Sequence, residues 1–136
     1  MLQVVRFEGQ VIDRQTLLDG TREFSIDAAG GPEDGGHGWQ ATLTFRWPKE
    51  AVDALDEGDL SLTAPGGSSL YGTLRGGTAD DVYDEDTASE VIRLALDFEV
   101  RSGDGAFAGS GGSARVSGDL LGDHVLLTVS IEVTRP

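Results

Sequence analysis

The sequence predicts an all-β protein, a single antiparallel β-barrel domain of about eight strands spanning residues 1–136. Two observations predict this fold class. Apolar and polar side chains alternate with a period of two in several segments, which is the pattern of a half-buried strand. The 20 glycines suit a chain of many short turns. Closing the sheet removes its unpaired edges, so a barrel is favoured over the alternative, an open two-sheet sandwich.

The clearest alternation lies in residues 91–101 and 124–135. A glycine-rich link over residues 102–112, followed by a further strand and turn, connects these two segments. The apolar positions are Ile92, Leu94, Leu96, Phe98 and Val100 in the first segment, and Val125, Leu127, Val129, Ile131 and Val133 in the second. This part of the chain therefore predicts three consecutive antiparallel strands.

The rest of the chain predicts shorter elements. Further strands are expected over residues 2–13, 21–28, 39–47, 59–64 and 68–75. Asp19-Gly20 predicts a two-residue hairpin turn, because glycine readily takes a positive φ. Pro48, followed by a short apolar pattern, predicts one short helix near residues 48–56. Residues 29–38 and 76–87 are rich in glycine and acidic residues and predict mobile loops.

The apolar strand faces are expected to fill the barrel. The predicted core residues are Trp39, Leu43, Phe45, Trp47, Leu94, Leu96, Phe98, Leu127, Val129 and Ile131. The charged face of residues 91–101, which includes Asp97, is expected on the outer surface. The alternative places that face in the lumen, where a carboxylate beside an arginine could act as an acid or a base.

Charge and composition exclude several classes of partner. The net charge is −14, with 24 acidic residues against 10 basic ones, which argues against nucleic acid and against an anionic membrane surface. There are no cysteines, so neither disulfides nor a thiolate metal site is possible. The first residues lack the basic start and apolar run of a signal peptide. A cytoplasmic protein is expected.

A short glycine-rich motif resembles part of a known family. Gly103, Gly105, Phe107, Gly109 and Gly112 follow the pattern G-x-G-x-F-x-G-x-x-G. This hairpin resembles the one that links two late strands in the dirigent and allene oxide cyclase-like β-barrels. The resemblance covers about twenty residues and implies a barrel that binds an apolar small molecule and steers its cyclisation or coupling. No active-site motif of the family can be placed on this sequence.

The candidate ligand site rests on aromatic residues that could line the mouth of the barrel. These are Trp39, Trp47, Tyr71, Tyr83 and Phe107. Residues 29–38 and 76–87 are the expected lids. The alternative is that the same aromatic side chains fill the core. An apolar small molecule is therefore the expected partner, bound by a carrier or by a cyclase or isomerase that needs no cofactor.

Other features leave further alternatives open. No nucleophile–base pair or cofactor motif is visible, so the sequence does not decide whether the protein is an enzyme, and a non-catalytic structural or interaction module remains the second hypothesis. No metal site is expected, and the acidic residues 80–86 are interpreted as a solvated loop because their spacing fails the standard calcium loop. Val91 and Leu126 interrupt polar faces, so they are candidate contacts of a symmetric homodimer.

Overall fold

The computed structural model describes residues 2–32, 37–48, 55, 57–84, 89–109 and 111–134. They form eight β-strands and one 3-10 turn, η1, at Gly105–Phe107. The strands are β1 Leu2–Thr16, β2 Arg22–Pro32, β3 Trp39–Trp47, β4 Glu57–Thr63, β5 Ser69–Asp84, β6 Ser89–Gly103, β7 Gly111–Leu121 and β8 His124–Thr134.

The strands close into one antiparallel barrel. Each strand pairs with the next one in the sequence, and β8 returns to pair with β1. In this closing pair Val5 lies opposite Val129. The predicted fold class, an antiparallel barrel of eight strands, is confirmed.

The alternation of apolar side chains explains which face of the sheet turns inward. Every residue predicted to lie in the core is buried, and all of them belong to one apolar cluster. Phe24, Phe45 and Phe98 are among the largest fully buried side chains. An eight-stranded barrel has an interior that side chains can fill, and here aromatic and branched residues from every strand do so.

The two ends of the barrel can be named by the tryptophans of β3. At the Trp39 end lie the connections between β2 and β3, between β4 and β5, and between β6 and β7. At the Trp47 end lie the other four connections. The nine residues of β3 rise about 3.3 Å each, so the two indole rings lie near opposite ends.

The prediction of a loop over residues 76–87 is wrong for most of that range, because residues 76–84 continue β5 and pair with β6. The register of the β5–β6 pairing shifts between Leu74 and Gly76, and β5 continues beyond this irregularity. Gly77 is needed here, since a Cβ atom at this position would lie 2.8 Å from the carbonyl oxygen of Ala95. Glycine at this position therefore marks close strand packing and not a break.

Two other predicted connections differ from the structure. Residues 29–32 of the predicted loop 29–38 belong to β2. The hairpin at Asp19-Gly20 is longer than two residues, because Thr16 and Arg22 form the last pair of β1 and β2. The chain between them is closed by the Leu17 N–H, which donates to the Thr21 carbonyl oxygen at 2.8 Å.

The helix predicted near residues 48–56 falls outside the described residues, apart from positions 48 and 55. Leu55 is buried in the core cluster, and its N–H donates to the carbonyl oxygen of Gly77 at 3.1 Å. Within the part of the chain that the structure describes, no helix is long and apolar enough to cross a membrane.

Candidate functional site

Two of the predicted site residues meet at the Trp39 end. The Trp39 and Phe107 rings have centroids 6.5 Å apart and planes tilted by 48°, a separation typical of interacting aromatic pairs. Phe107 closes η1 in the glycine-rich connection between β6 and β7. Both side chains are buried. They pack against the apolar interior at this end of the barrel.

Trp47 lies at the other end with a different set of neighbours. Arg22 faces it across β2 and β3, and the Arg22 guanidinium carbon lies 4.0 Å from the ring centroid. The adjacent pair on the same inward face, Phe24 and Phe45, stacks with centroids 5.0 Å apart. Trp47 therefore does not share a pocket with Trp39 and Phe107.

Tyr71 occupies a third location, on the outer wall. Its side chain is 42% exposed and borders a cavity of about 400 Å³, which we call the Tyr71 cavity. The strands β3, β4, β5 and β6 form it. The cavity is lined by Thr42, Thr44, Asp59, Leu60, Ser61, Tyr71, Gly72, Thr73, Arg101 and Ser102.

Strand register explains why the Tyr71 ring is accessible. Tyr71 lies opposite Ser61 of β4 on one side and opposite Ser102 of β6 on the other. Both neighbours are small, so neither can cover the face of the ring. A register shift between Tyr71 and Gly72 interrupts the β5–β6 ladder at this point, and such bulges re-aim side chains.

The polar groups of the Tyr71 cavity are mostly hydroxyls. On one side, Arg101 donates from Nε to the Thr73 Oγ1 atom at 3.1 Å and lies 3.4 Å from a carboxylate oxygen of Glu99. Its guanidinium is therefore already partly engaged. The arrangement offers one aromatic face for stacking and several hydroxyls for hydrogen bonds, a composition that suits a small and largely apolar ligand.

A second cavity lies on the outer wall of β5, β6, β7 and β8. Its volume is about 690 Å³, and it is lined by Arg75, Gly76, Gly77, Ala95, Leu96, Asp97, Arg115, Val116, Ser117 and Ser130. We call it the Arg115 cavity. Both carboxylate oxygens of Asp97 accept hydrogen bonds from Arg75, and these bonds raise the pKa of the Arg75 guanidinium above its usual range.

The position of Asp97 settles which face of β6 turns inward. Leu96 and Phe98 are buried in the interior, whereas the side chain of Asp97 is 38% exposed on the outer wall. The expectation that the charged face of residues 91–101 lies outside is confirmed. The acid–base hypothesis that required this face in the lumen is therefore wrong.

Two further predictions concern the acidic part of β5. The backbone of Tyr83 pairs with Glu90 near the end of the β5–β6 hairpin, but its side chain lies outside the described residues. The predicted acidic loop 80–86 is a strand as far as Asp84. Asp80 and Asp81 are consecutive residues of β5, so their side chains point to opposite faces of the strand, and both are exposed.

Sequence reasoning missed most of the Tyr71 cavity. It singled out Tyr71 but none of the outward-facing Thr42, Ser61 and Thr73. A usable signal was present, because these residues occupy the polar positions of neighbouring alternating segments. Only the strand register, which the sequence does not give, places Thr42 opposite Ser61 and Ser61 opposite Tyr71.

The described residues form a closed eight-stranded barrel with a packed apolar interior. The Tyr71 cavity and the Arg115 cavity lie on its outer wall and open to solvent. Comparison with protein-family models, with curated proteins and with solved structures finds no match to this chain. The resemblance of residues 103–112 to the dirigent and allene oxide cyclase-like barrels therefore stays a prediction.

Proposed function

We propose that this barrel is a small-molecule carrier. It binds an apolar ligand that can stack on the ring of Tyr71 in the Tyr71 cavity. The observation that carries the proposal is the exposed face of Tyr71 beside a volume of about 400 Å³. Cavities of about 300–1,000 Å³ hold small organic ligands. Stacking on the ring supplies affinity, and the surrounding hydroxyls supply orientation.

The packing of the interior supports an outer-wall site over a site in the lumen. A ligand in the lumen would have to displace side chains such as Phe24, Phe45 and Phe98, which are fully buried. Opening a cavity by removing one such aromatic side chain costs about 3–5 kcal/mol. A ligand in the Tyr71 cavity leaves these contacts in place.

Of the two roles expected for a ligand-binding barrel, the exposure of the site favours a carrier over a cyclase or isomerase. Cyclisation of a reactive intermediate requires a site that holds one conformer and keeps water away. The Tyr71 cavity opens to solvent, and a carboxylate, Asp59, lies at its rim. Binding without chemistry is the role that this geometry suits better.

The proposal is tested with a neutral fluorescent probe, N-phenyl-1-naphthylamine, because a neutral probe avoids attraction to the arginines. Titration of the protein should raise the probe fluorescence and shift the backbone amide NMR signals of Tyr71 and Thr73. Tyr71→Ala should weaken binding about fivefold, because stacking on one aromatic ring is worth roughly 1 kcal/mol.

Leu126→Ala provides the matched control for this experiment. Leu126 is 43% exposed, close to the exposure of Tyr71, and it lies on β8, away from the cavity. Its replacement should leave probe binding unchanged. Equal binding by the Tyr71→Ala variant, with shifted amides in the core residues Leu43 and Phe98, would place the ligand in the lumen and overturn the outer-wall site.

A second candidate function is protein interaction through an exposed apolar surface near the Trp47 end. Leu121 is 40% exposed and Leu126 is 43% exposed. Leu121 lies opposite Val91 on β6 and opposite His124 on β8, and Leu126 is the next outward residue along β8. Of the two predicted dimer contacts, Leu126 therefore lies near Leu121 on this surface, whereas Val91 is buried.

For this second candidate, the occupant we propose is another copy of the same chain. Two copies each carry −14, so their repulsion should weaken as salt screens it, whereas apolar contact should persist. Light scattering should then show a dimer whose dissociation constant falls between low and moderate salt concentration. Leu126→Asp should abolish it, whereas Tyr71→Ala should not. A monomeric mass at every salt and protein concentration would remove the candidate.

A further inference from the structure

The Arg115 cavity lies over a row of residues that crosses four neighbouring strands. Gly76 pairs with Asp97, Asp97 with Arg115, and Arg115 with Ser130. Register therefore brings one carboxylate and two guanidinium groups, those of Arg75 and Arg115, to the same outward-facing surface. None of the residues that line this cavity also lines the Tyr71 cavity, so the two sites are separate.

The single carboxylate in this row is fully engaged by Arg75. The Arg75 Nη2 atom lies 3.1 Å from Oδ1 and 3.0 Å from Oδ2 of Asp97, and Nε lies 3.2 Å from Oδ2. A guanidinium that bridges both oxygens in this way is geometrically fixed. Asp97 and Arg75 therefore form a neutral pair at one side of the cavity.

Arg115 is left with its charge available. Although it faces Asp97 in the ladder, its guanidinium makes no hydrogen bond or ion pair with any residue that the structure describes. Its side chain is exposed at the cavity. The nearest other acidic group along β6, Glu99, lies 3.4 Å from Arg101 and is partly neutralised by it. The residues that line the cavity therefore carry one excess positive charge.

We propose that the Arg115 cavity binds a small organic monocarboxylate. Arg115 holds the carboxylate through its planar N–H fork, which matches the two oxygens of that group. Ser117 and Ser130, which also line the cavity, donate hydroxyl hydrogen bonds. A monoanion cancels the single excess charge of the cavity. A dianionic phosphate would leave one negative charge uncompensated in the cavity of a chain that already carries −14.

The floor of the cavity leaves room for the organic part of the ligand. A Cβ atom built at Gly76 would meet no atom within 4 Å, so the space above this residue is open. Ala95 contributes only a methyl group to the outward surface beside it. The volume of about 690 Å³ is ample for a ring or a short alkyl chain attached to the carboxylate.

The test compares phenylacetate with its neutral analogue phenylacetamide at constant ionic strength, using NMR titration of the full chain. Phenylacetate should shift the amide signals of Arg115, Ser117 and Ser130, whereas phenylacetamide should bind at least about tenfold more weakly. Arg115→Gln should reduce phenylacetate affinity about tenfold. Asp97→Asn should increase it, because Arg75 is then released for the ligand.

Arg93→Gln is the matched control, since it removes the same charge from the outer wall. Arg93 does not line the cavity, and its guanidinium already lies 3.7 Å from a carboxylate oxygen of Asp119. Its replacement should change phenylacetate affinity less than twofold. Equal binding of acid and amide, or equal effects of Arg115→Gln and Arg93→Gln, or weaker binding by Asp97→Asn, would overturn the proposal.

Discussion

The guanidinium carbon of Arg22 lies 4.0 Å from the centroid of the Trp47 ring, and the two residues form a pair between β2 and β3. Trp47 is buried and Arg22 is half-buried. The same guanidinium carbon lies 6.0 Å from the centroid of the Phe24 ring. Arg22 therefore covers the last aromatic rings of the interior and keeps its charge near solvent.

Replacing Arg22 should expose the Trp47 ring. In a Trp39→Phe background, which leaves Trp47 as the only tryptophan, Arg22→Gln should shift the emission to longer wavelength. It should also lower the free energy of unfolding by about 0.5–2 kcal/mol, the range of cation–π contacts. Urea denaturation measures this loss. The Arg93→Gln variant serves as the control for loss of one surface charge, and an equal effect of both variants would contradict a specific role for the ring contact.

Substitutions on the two faces of the barrel wall should differ sharply in cost. Leu96 is 3% exposed and Leu126 is 43% exposed. Leu96→Ala should lower the free energy of unfolding by about 2–5 kcal/mol because it leaves a cavity, whereas Leu126→Ala should cost less than about 0.5 kcal/mol. Denaturant unfolding of both variants measures the difference. Similar small losses would contradict the assignment of inward and outward faces.

Two glycines with a positive φ should differ because only one is crowded. Gly66 has φ +97° and Gly112 has φ +129°, but a Cβ atom at Gly112 would lie 2.0 Å from the Glu132 carbonyl oxygen, whereas one at Gly66 meets nothing within 4 Å. Gly66→Ala should cost about 1–2 kcal/mol from backbone strain alone. Gly112→Ala should cost roughly 2 kcal/mol more. Equal losses of stability in thermal unfolding would contradict this prediction, because they would show that β7 and β8 can move apart at Gly112 at little energetic cost.

The β1–β2 connection should contribute a pH-dependent part of the stability. The Thr21 N–H donates to Asp19 Oδ1 at 2.9 Å, and this bond holds the pKa of Asp19 below the usual 3.8. Since the folded pKa is the lower one, the contribution is complete above the unfolded pKa and is lost as the pH falls through the folded value. Carboxyl ¹³C NMR should give an Asp19 midpoint below 3.8.

Asp19→Asn removes the titrating group but keeps an oxygen that can accept the Thr21 N–H. The stability difference between the wild type and this variant should therefore shrink on acidification below about pH 4. A difference that stays constant over this range, or an Asp19 midpoint at or above the usual value, would contradict the role of the Thr21 hydrogen bond.

The sequence predicts the fold well where a strand has one solvent-exposed face and one buried face. The bounds of β3 agree with the predicted segment 39–47 because Trp39, Leu43 and Trp47 alternate with polar residues and flanking glycine and proline mark both ends. The prediction failed at β5, where Gly76 and Gly77 suggested a break. In the barrel these glycines permit a bulge and a close strand contact, and a local pattern does not reveal such long-range packing.

The candidate site was harder to predict for a physical reason. Side chains that fill a barrel and side chains that line an empty pocket inside it have the same period of two, so the pattern could not distinguish the roles of Trp39 and Trp47. Tyr71 was singled out as an aromatic residue, but its exposure depends on small neighbours from two other strands. The sequence alone does not identify Arg115 as a candidate. That its guanidinium lacks an ion-pair partner among the described residues is recognised only once the pairing of Asp97 with Arg75 is known.

The closing pair of the barrel also has a consequence for the order of assembly. Seven of the eight strand pairings join consecutive strands, but β1 and β8 bring together opposite ends of the described chain, such as Val5 and Val129. Local hairpins can form early, whereas this pairing must overcome the entropy of closing nearly the whole chain. Until it forms, β1 and β8 each present an unpaired edge, so the slowest step of folding is also the one that leaves newly made copies open to joining one another.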